Sequence, residues 1–406
     1  MTTMAISEAI TTWLHPLRPV LDPAAYVDWT RLAALAQAVD EALDTYPVGP
    51  ELPAGTERSR RLKAIRQRLA DHGHLDTANQ PALFQVLAQF VCGYRDIDLR
   101  DATGLGHGLL IARHGTPQAR RKWIPRLLAG DLAGIAVTEP HGGSRPAATR
   151  TRAVAGPDGT WLVTGRKTWI SRLTEAAVFV LFFRAPDGHL TAAAVDATEQ
   201  GLHRTPVAPT GLAGWSWGIL DLDAVPVRPD DLLRGNGMGL LREHFAGYRP
   251  LVTATALGGA AAIFDTVTEV LAVRKATGDL SRLRDSALVT LGRAHAQLVT
   301  ALLGAVTAAH LAEAGHEDAE LWGAATKAHG IDTANASTAE LALLLGAAGF
   351  RHDCQTAKTR RDLAGLLYAD GIHDSLYRMA GKHHTEDHHT AVPAPRERLT
   401  TTPLTA

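Results

Sequence analysis

The feature that most constrains the fold is a change in sequence pattern near Gly134 and a second change near Gly239. Between them, short apolar and β-branched runs such as residues 178–183 alternate with turn-forming stretches, which is typical of strands and turns. On either side, apolar residues recur at helical spacing, as in residues 29–43 and 288–314. The sequence therefore predicts an α+β protein in which two helical regions flank a β region.

We expect an N-terminal helical domain over residues 1–132, a middle β domain over 133–236 and a C-terminal four-helix bundle over 237–380. Thr116 and Pro117 predict the N-cap and the first residue of a helix that runs to Leu128. Residues 381–406 are polar and contain proline, so we predict poor order there.

Composition limits the possible functions. The net charge of −1 provides no strong field for binding nucleic acid or an anionic membrane. Cys92 and Cys354 are the only cysteines, which argues against a disulfide framework and fits a reducing compartment. No apolar run approaches the roughly 20 residues that span a bilayer, and residues 1–10 do not resemble a signal peptide. We expect a cytoplasmic protein that binds neither nucleic acid nor membrane.

A first candidate site lies where a strand runs into a glycine turn, over residues 137–144. Exposed backbone N–H groups and the hydroxyls of Thr138 and Ser144 suit hydrogen bonding to a planar heterocycle or a phosphate. Val137 and Gly143 belong to the same segment. The alternative is a plain β-turn that Thr and Ser cap.

A second candidate site follows one hairpin later, over residues 165–171. Trp169 and Ser171 are two residues apart, so their side chains share one face of a strand. They offer an aromatic surface and a hydroxyl, which are groups that a flavin ring requires. A tryptophan buried in the core is the alternative.

Three further candidates lie in the helical C-terminal half. Tyr248-Arg249-Pro250 is read as the start of a long helix, where the arginine could anchor an anion or a carbonyl, or remain solvated. Arg274 lies in a last helical turn and could simply complement the helix dipole. Gly346 and Ala347 belong to a glycine turn of the kind that commonly ends a helix.

The last candidate is Asp370, which precedes Gly371 between two helical stretches. A carboxylate held against an apolar pocket can act as a base because desolvation tunes its pKa. A helix cap is the alternative. We predict no metal site, since His383-His384 lies in a polar segment with further acidic and histidine residues and is interpreted as solvated.

In their order and spacing, the six motifs resemble those of the acyl-CoA dehydrogenases over roughly residues 60–380. The matching segments are Thr138 to Ser144, Gly165 to Ser171, Tyr248 to Pro250, Arg274 to Gly278, Gly346 to Phe350, and Arg361-Asp362 followed by Asp370-Gly371. The resemblance implies FAD as the cofactor and an acyl thioester, carried by CoA or a carrier protein, as the substrate. It also implies an electron-transfer partner or oxygen as the electron acceptor.

The resemblance also implies roles for single residues. Thr138 and Ser171 would contact the flavin ring, Trp169 would pack on it, and Asp370 would remove the α-proton. Ser144, Tyr248, Arg249 and Gly371 would bind the substrate, and Val137, Gly143 and Ser144 the cofactor. Arg274, Gly346 and Ala347 would reach the FAD of a neighbouring subunit, which implies a homo-oligomer, either a dimer or a tetramer.

This sequence also departs from the family's pattern. Asp370 replaces the usual Glu, and a carboxyl that is one methylene shorter reaches about 1.3–1.5 Å less far. Nitroalkane oxidases share the fold and use an Asp at this position. An oxygen-using flavoenzyme of the same fold, either an oxidase or a two-component monooxygenase, is therefore the first alternative. A redox-silent scaffold is the second.

Overall fold

The computed structural model describes residues 10–77 and 79–391. The N-terminal helices are α1 (Arg18–Leu21), α2 (Trp29–Thr45), α3 (Thr56–Asp71), α4 (Ala82–Arg95), α5 (Leu109–His114) and α6 (Pro117–Leu128). The Thr116 hydroxyl accepts the amide of Ala119 at 3.0 Å, so this residue is the N-cap of α6, as predicted. Apolar residues of α2 to α4 form a core with helices of the C-terminal region.

A mixed sheet follows these helices. Its strands are β1 (Leu132–Ala136), β2 (Arg152–Ala155), β3 (Trp161–Ser171), β4 (Ala176–Arg184), β5 (Leu190–Asp196), β6 (Leu202–Val207) and β7 (Trp217–Val227). The strand order is β1-β4-β2-β3-β7-β6, and β5 also pairs with β4. The sequence pattern missed β6, a largely polar strand that contains Pro206. This strand ends the strand order beside β7, which is where a sheet tolerates proline.

The C-terminal helices are α7 (Gly237–Ala276), α8 (Asp285–Glu313), α9 (Ala319–Leu344), α10 (Gln355–Leu366) and α11 (His373–Ala391). The expectation that a helix starts at Tyr248-Arg249-Pro250 is wrong, because α7 begins at Gly237 and Pro250 lies inside it. Asn236 is the N-cap, and its side-chain oxygen accepts the amide of Met238 at 2.9 Å. Arg249 is therefore held in the middle of a long helix and not at a solvated helix end.

Two further sequence expectations need correction. Residues 381–391 continue α11, whereas residues 392–406 and the side chains of 386–391 lie outside the described residues.

Helices α7 and α8 are also long and apolar enough to cross a membrane by length and composition. Of their most apolar windows, 56% and 44% of the residues are buried inside the protein. Packing between helices therefore accounts for much of this apolar composition.

A loop between β6 and β7 is tied to both helical regions. The amide of Gly214 donates to Asp98 at 3.1 Å, and the amide of Leu212 donates to Asp362 of α10 at 2.7 Å. Asp96, Asp98 and Asp362 bring carboxylate oxygens together with a spacing that suits a metal ion. The cations Arg58 and Lys358 form ion pairs with this cluster, so it is a buried charge network that joins the three regions.

Candidate active site

A cavity of about 1930 Å³ lies where the sheet meets the two helical regions. Ten of the residues selected from the sequence line it: Val137, Thr138, Gly143, Ser144, Trp169, Ser171, Tyr248, Arg249, Asp370 and Gly371. Arg274, Gly346 and Ala347 are not among the lining residues. The fold thus brings together motifs that are more than 200 residues apart in the chain.

One wall is the turn after β1. Gly143 packs against Thr138, and a Cβ at this glycine would lie 3.0 Å from the threonine methyl group. The buried carboxylate of Glu139 holds the turn by accepting the amides of Arg150 and Thr151 at 2.8 and 3.0 Å and the Nζ of Lys167 at 2.8 Å. Burial opposes ionisation, but the hydrogen bonds from Lys167 and Thr151 lower the pKa of Glu139 to about 2.

Trp169 lies beside this turn on an irregular part of β3. The pairing of β3 with β7 shifts register between Lys167 and Ile170, and Trp169 has a φ of 58°. Its side chain is 61% exposed, so the interpretation as a buried core tryptophan is wrong. The irregular strand therefore leaves an indole face free at the cavity, with Ser171 also in the lining.

Arg172 is a site residue that the sequence analysis missed. It follows Ser171, has a φ of 58° and is only 2% exposed. Its guanidinium donates to the Ser171 hydroxyl at 2.8 Å and forms a buried ion pair with Asp101. Although burial opposes its charge, the carboxylate of Asp101 raises the pKa of Arg172. A positive charge therefore lies behind the serine, and only the tertiary contact with Asp101 reveals it.

Asp370 also lines the cavity and lies in the turn between α10 and α11. It has a φ of 56°, and Gly371 follows with a φ of 116°. The Nε of Arg249 donates to the backbone carbonyl of Asp370 at 3.1 Å, while its Nη1 is buried without a hydrogen-bond partner among the described residues. Strained backbone of this kind costs about 1–3 kcal/mol and is concentrated at functional sites.

The electrostatic environment of Asp370 is mixed. Burial raises the pKa of its carboxyl, while the positive charges of Lys327, Arg172 and Arg249 act in the opposite direction. Burial also lowers the pKa of Arg249. The carboxyl thus combines restricted solvation with nearby cations, an arrangement that suits a group whose proton is exchanged during a reaction.

A buried aromatic group completes the wall around Tyr248. Its ring stacks on His244 with centroids 5.1 Å apart and lies 4.7 Å from the ring of His107. The two imidazoles meet at 3.0 Å between Nδ1 of His107 and Nε2 of His244. Burial lowers the pKa of both histidines, that of His244 to about 3, so the pair is neutral near pH 7. This wall is polar, which periodicity along the sequence did not indicate.

The remaining three selected residues lie together elsewhere on the molecule. Nη2 of Arg274 donates to the carbonyl of Leu345 at 3.5 Å, directly before Gly346 and Ala347. Both turn residues are exposed. Large apolar side chains around them are exposed as well: Val273 at 54%, Leu343 at 79% and Phe350 at 93%.

Comparisons with known proteins bear on the family and the fold. Two family models match, the middle domain of acyl-CoA dehydrogenase over residues 134–225 and its C-terminal domain over residues 235–383. A probable short/branched chain specific acyl-CoA dehydrogenase of Dictyostelium discoideum is 30% identical over 175 residues, 41% of this chain and 42% of the relative. The chain thus spans less than half of the length of that curated relative.

Solved structures share the fold. An acyl-CoA dehydrogenase from Geobacillus kaustophilus superposes with a TM-score of 0.78 at 19% identity, over 89% of this chain and 99% of that one. A glutaryl-CoA dehydrogenase from Mycobacterium smegmatis in complex with FADH2 gives a TM-score of 0.74 at 20% identity, over 90% and 97% of the two chains. The three-region architecture predicted from the sequence is therefore confirmed.

Proposed function

The chain belongs to the acyl-CoA dehydrogenase family, and we propose that it is an FAD-dependent enzyme that dehydrogenates an acyl thioester between its α and β carbons. One observation carries the proposal. A single cavity is lined both by the residues selected to hold a flavin and by the carboxyl selected as the base. The polypeptide brings these groups together although Asp370 follows Ser171 by almost half of the chain.

The residues present fit a flavin. Trp169 offers an exposed aromatic face, and Thr138 and Ser171 offer hydroxyls in the same cavity. We propose that these three residues hold the ring, and that Val137, Gly143 and Ser144 line the approach to its phosphates. When bound, FAD would supply the hydride acceptor, while the protein supplies binding, orientation and electrostatics.

The role that we propose for Asp370 is removal of the α-proton by its carboxylate. Arg249 and Tyr248 would hold the thioester end of the substrate, since both line the cavity and Arg249 contacts the turn that carries Asp370. A base acts only when ionised, and burial raises the pKa of Asp370. Activity should therefore be lost as the pH falls through this raised pKa and should be retained above it.

The wall formed by His107, Tyr248 and Arg172 supports an acyl group that can form hydrogen bonds rather than a long alkyl chain. Each of these three side chains is at most 9% exposed, yet each lines the cavity. A purely apolar chain would desolvate this polar wall without forming hydrogen bonds to it, at a cost of about 1–3 kcal/mol for each donor or acceptor that is left without a partner. We therefore expect glutaryl-CoA to be oxidised faster than octanoyl-CoA.

The test starts with the absorption spectrum of the purified protein, where bound oxidised flavin absorbs at about 450 nm. Butyryl-, octanoyl- and glutaryl-CoA are then added without oxygen, alongside the same acyl groups on a phosphopantetheinylated carrier protein. Loss of the flavin band with any of them supports the proposal. A flavin that remains oxidised with every thioester contradicts it. Rapid reoxidation by oxygen would instead favour an oxidase of the same fold.

Asp370→Asn tests whether Asp370 is the base. We expect this variant to retain the flavin and to lose activity by about 10²–10⁴-fold, the usual contribution of general base catalysis. Asp370→Glu lengthens the side chain and should lose about 100-fold, because displacement by 1 Å costs that much. Asp374→Asn, an exposed carboxyl on α11, is the matched control and should keep its activity. Equal activity of Asp370→Asn and Asp374→Asn would rule out Asp370 as the base.

We also propose that the protein is a homo-oligomer. Arg274, Gly346 and Ala347 lie outside the cavity amid exposed apolar side chains, so they could contact the FAD of a neighbouring subunit only across an interface. Sedimentation analysis tests the assembly. Arg274→Gln should weaken FAD binding if the neighbouring cofactor is its partner, and unchanged FAD affinity in a confirmed oligomer would contradict that role.

A further inference from the structure

The turn that carries Asp370 is held by a buried lysine that the proposed chemistry does not use. Lys327 of α9 is 0% exposed. Its Nζ donates to the carbonyl of Leu366 at 2.9 Å and to the carbonyl of Gly371 at 2.8 Å. Leu366 ends α10, and Gly371 directly follows Asp370. The ammonium group thus connects the two ends of the turn.

This turn needs such support because its backbone is strained. Asp370 has a positive φ of 56°, which for a residue other than glycine persists only where the surrounding structure holds it. Arg249 of α7 holds the same turn from another side through the carbonyl of Asp370, at 3.1 Å. Two cations on two different helices therefore bind three carbonyls of this one short turn, those of residues 366, 370 and 371.

The charges around the turn distinguish Lys327 from an ordinary structural lysine. The positive charges of Lys327, Arg172, Arg249 and Arg100 all favour ionisation of the Asp370 carboxyl, and the effect of Lys327 is the largest. The charge of Asp332 also acts on Lys327, and Asp332 forms an ion pair with His373 at 2.8 Å. Burial lowers the pKa of Lys327 to about 7, and the charge of Asp370 opposes this shift.

We propose that Lys327 is a positioning residue for Asp370, which fixes the turn that presents this carboxyl and supplies a buried positive charge beside it. The proposal rests on the function proposed above for Asp370. It assigns two separable effects to Lys327. One is geometric and acts through the carbonyls of Leu366 and Gly371, and the other is electrostatic and acts on the ionisation of the Asp370 carboxyl.

Lys327→Met removes both effects, and Lys327→Arg keeps the charge and donor groups. Asn335→Leu is the matched control, because Asn335 also lies on α9 and donates to a carbonyl of α10, that of Leu363, at 3.1 Å. This control breaks a similar contact between the same helices without touching the turn. Melting temperature and flavin content are measured for all three variants, so that loss of folding is recognised.

The first measurement is independent of catalysis. Amide hydrogen exchange followed by mass spectrometry should show that residues 367–372 exchange at least about tenfold faster in Lys327→Met than in Asn335→Leu, since loss of a clamp promotes local opening. Equal exchange of this turn in the two variants overturns the geometric part. This result stands even if none of the acyl thioesters reduces the flavin, which would contradict the proposed function instead.

The second measurement is the pH profile of flavin reduction by glutaryl-CoA or butyryl-CoA. We expect kcat of Lys327→Met to fall by about 100-fold, as for a 1 Å misplacement of the base, with KM nearly unchanged. Its acid limb should move to higher pH, because removing a nearby positive charge makes the carboxyl harder to ionise. Lys327→Arg should restore part of the rate and of the profile. A Lys327→Met profile identical to that of Asn335→Leu would overturn the proposal.

Discussion

Lys167 and Arg166 are neighbours on β3 that form ion pairs of opposite character, and comparing them tests how the turn after β1 is held. The side chains of Lys167 and Glu139 are 0% and 4% exposed, and their Nζ–Oε1 distance is 2.8 Å. Arg166 pairs with Asp221 at 2.5 Å, but these side chains are 57% and 31% exposed. Lys167→Met therefore leaves a buried carboxylate without its cation, whereas Arg166→Met leaves a solvated one.

The expected free energies of unfolding differ accordingly. Removing one partner of a buried ion pair costs about 3–5 kcal/mol. Lys167→Met also removes the hydrogen bond from Lys167 to the carbonyl of Val137, which is 3.1 Å long. We therefore expect a loss of stability in the upper part of that range. An exposed ion pair contributes only about 0.2–1 kcal/mol. The double variant Lys167→Met/Glu139→Gln should be more stable than Lys167→Met alone, because the uncompensated charge is gone.

Denaturant unfolding followed by circular dichroism at pH 7 measures these differences. The pH dependence adds a second check. The folded-state pKa of Glu139 is lowered from 4.5 to about 2, so its stabilising effect is complete above pH 4.5 and is lost as the pH falls towards 2. The deficit of Lys167→Met should therefore shrink on acidification. Equal losses for Lys167→Met and Arg166→Met at pH 7, or a deficit that grows in acid, would refute this reasoning.

Three more predictions concern single contacts. Trp169→Ala should weaken FAD binding by more than tenfold, and flavin titration measures this affinity. The melting temperature should stay nearly unchanged, because the Trp169 side chain is 61% exposed. Ser171→Ala should weaken FAD binding less and serves as the comparison. Thr116→Ala should destabilise the protein by about 1 kcal/mol through loss of the N-cap of α6, as measured by denaturant unfolding. Gly211→Ala should be strongly destabilising by thermal melting, since a Cβ there would lie 2.0 Å from the carbonyl oxygen of Arg361, whereas Gly292→Ala, with open space around it, should not.

Much of the secondary structure was readable from local pattern. The helices at residues 29–43 and 288–314, the cap at Thr116 and the strand at residues 178–183 were predicted close to their observed bounds, because side-chain period and capping chemistry act over a few residues. The errors occurred where contacts with residues distant in the chain determine the local structure. Pro250 lies inside α7, although proline usually ends a helix, and β6 is a strand despite its polar sequence.

The sequence by itself determined the order of the three regions and the motifs that identify the family, since both depend on residues close together in the chain. Only the tertiary structure decided which of these residues share a cavity, and that Arg274, Gly346 and Ala347 do not line it. Arg172 and Lys327 had no local signature, because their roles depend on partners 71 and 44 residues away, Asp101 and Gly371. The effect of a buried charge depends on the groups that surround it in space, and only folding brings those groups together.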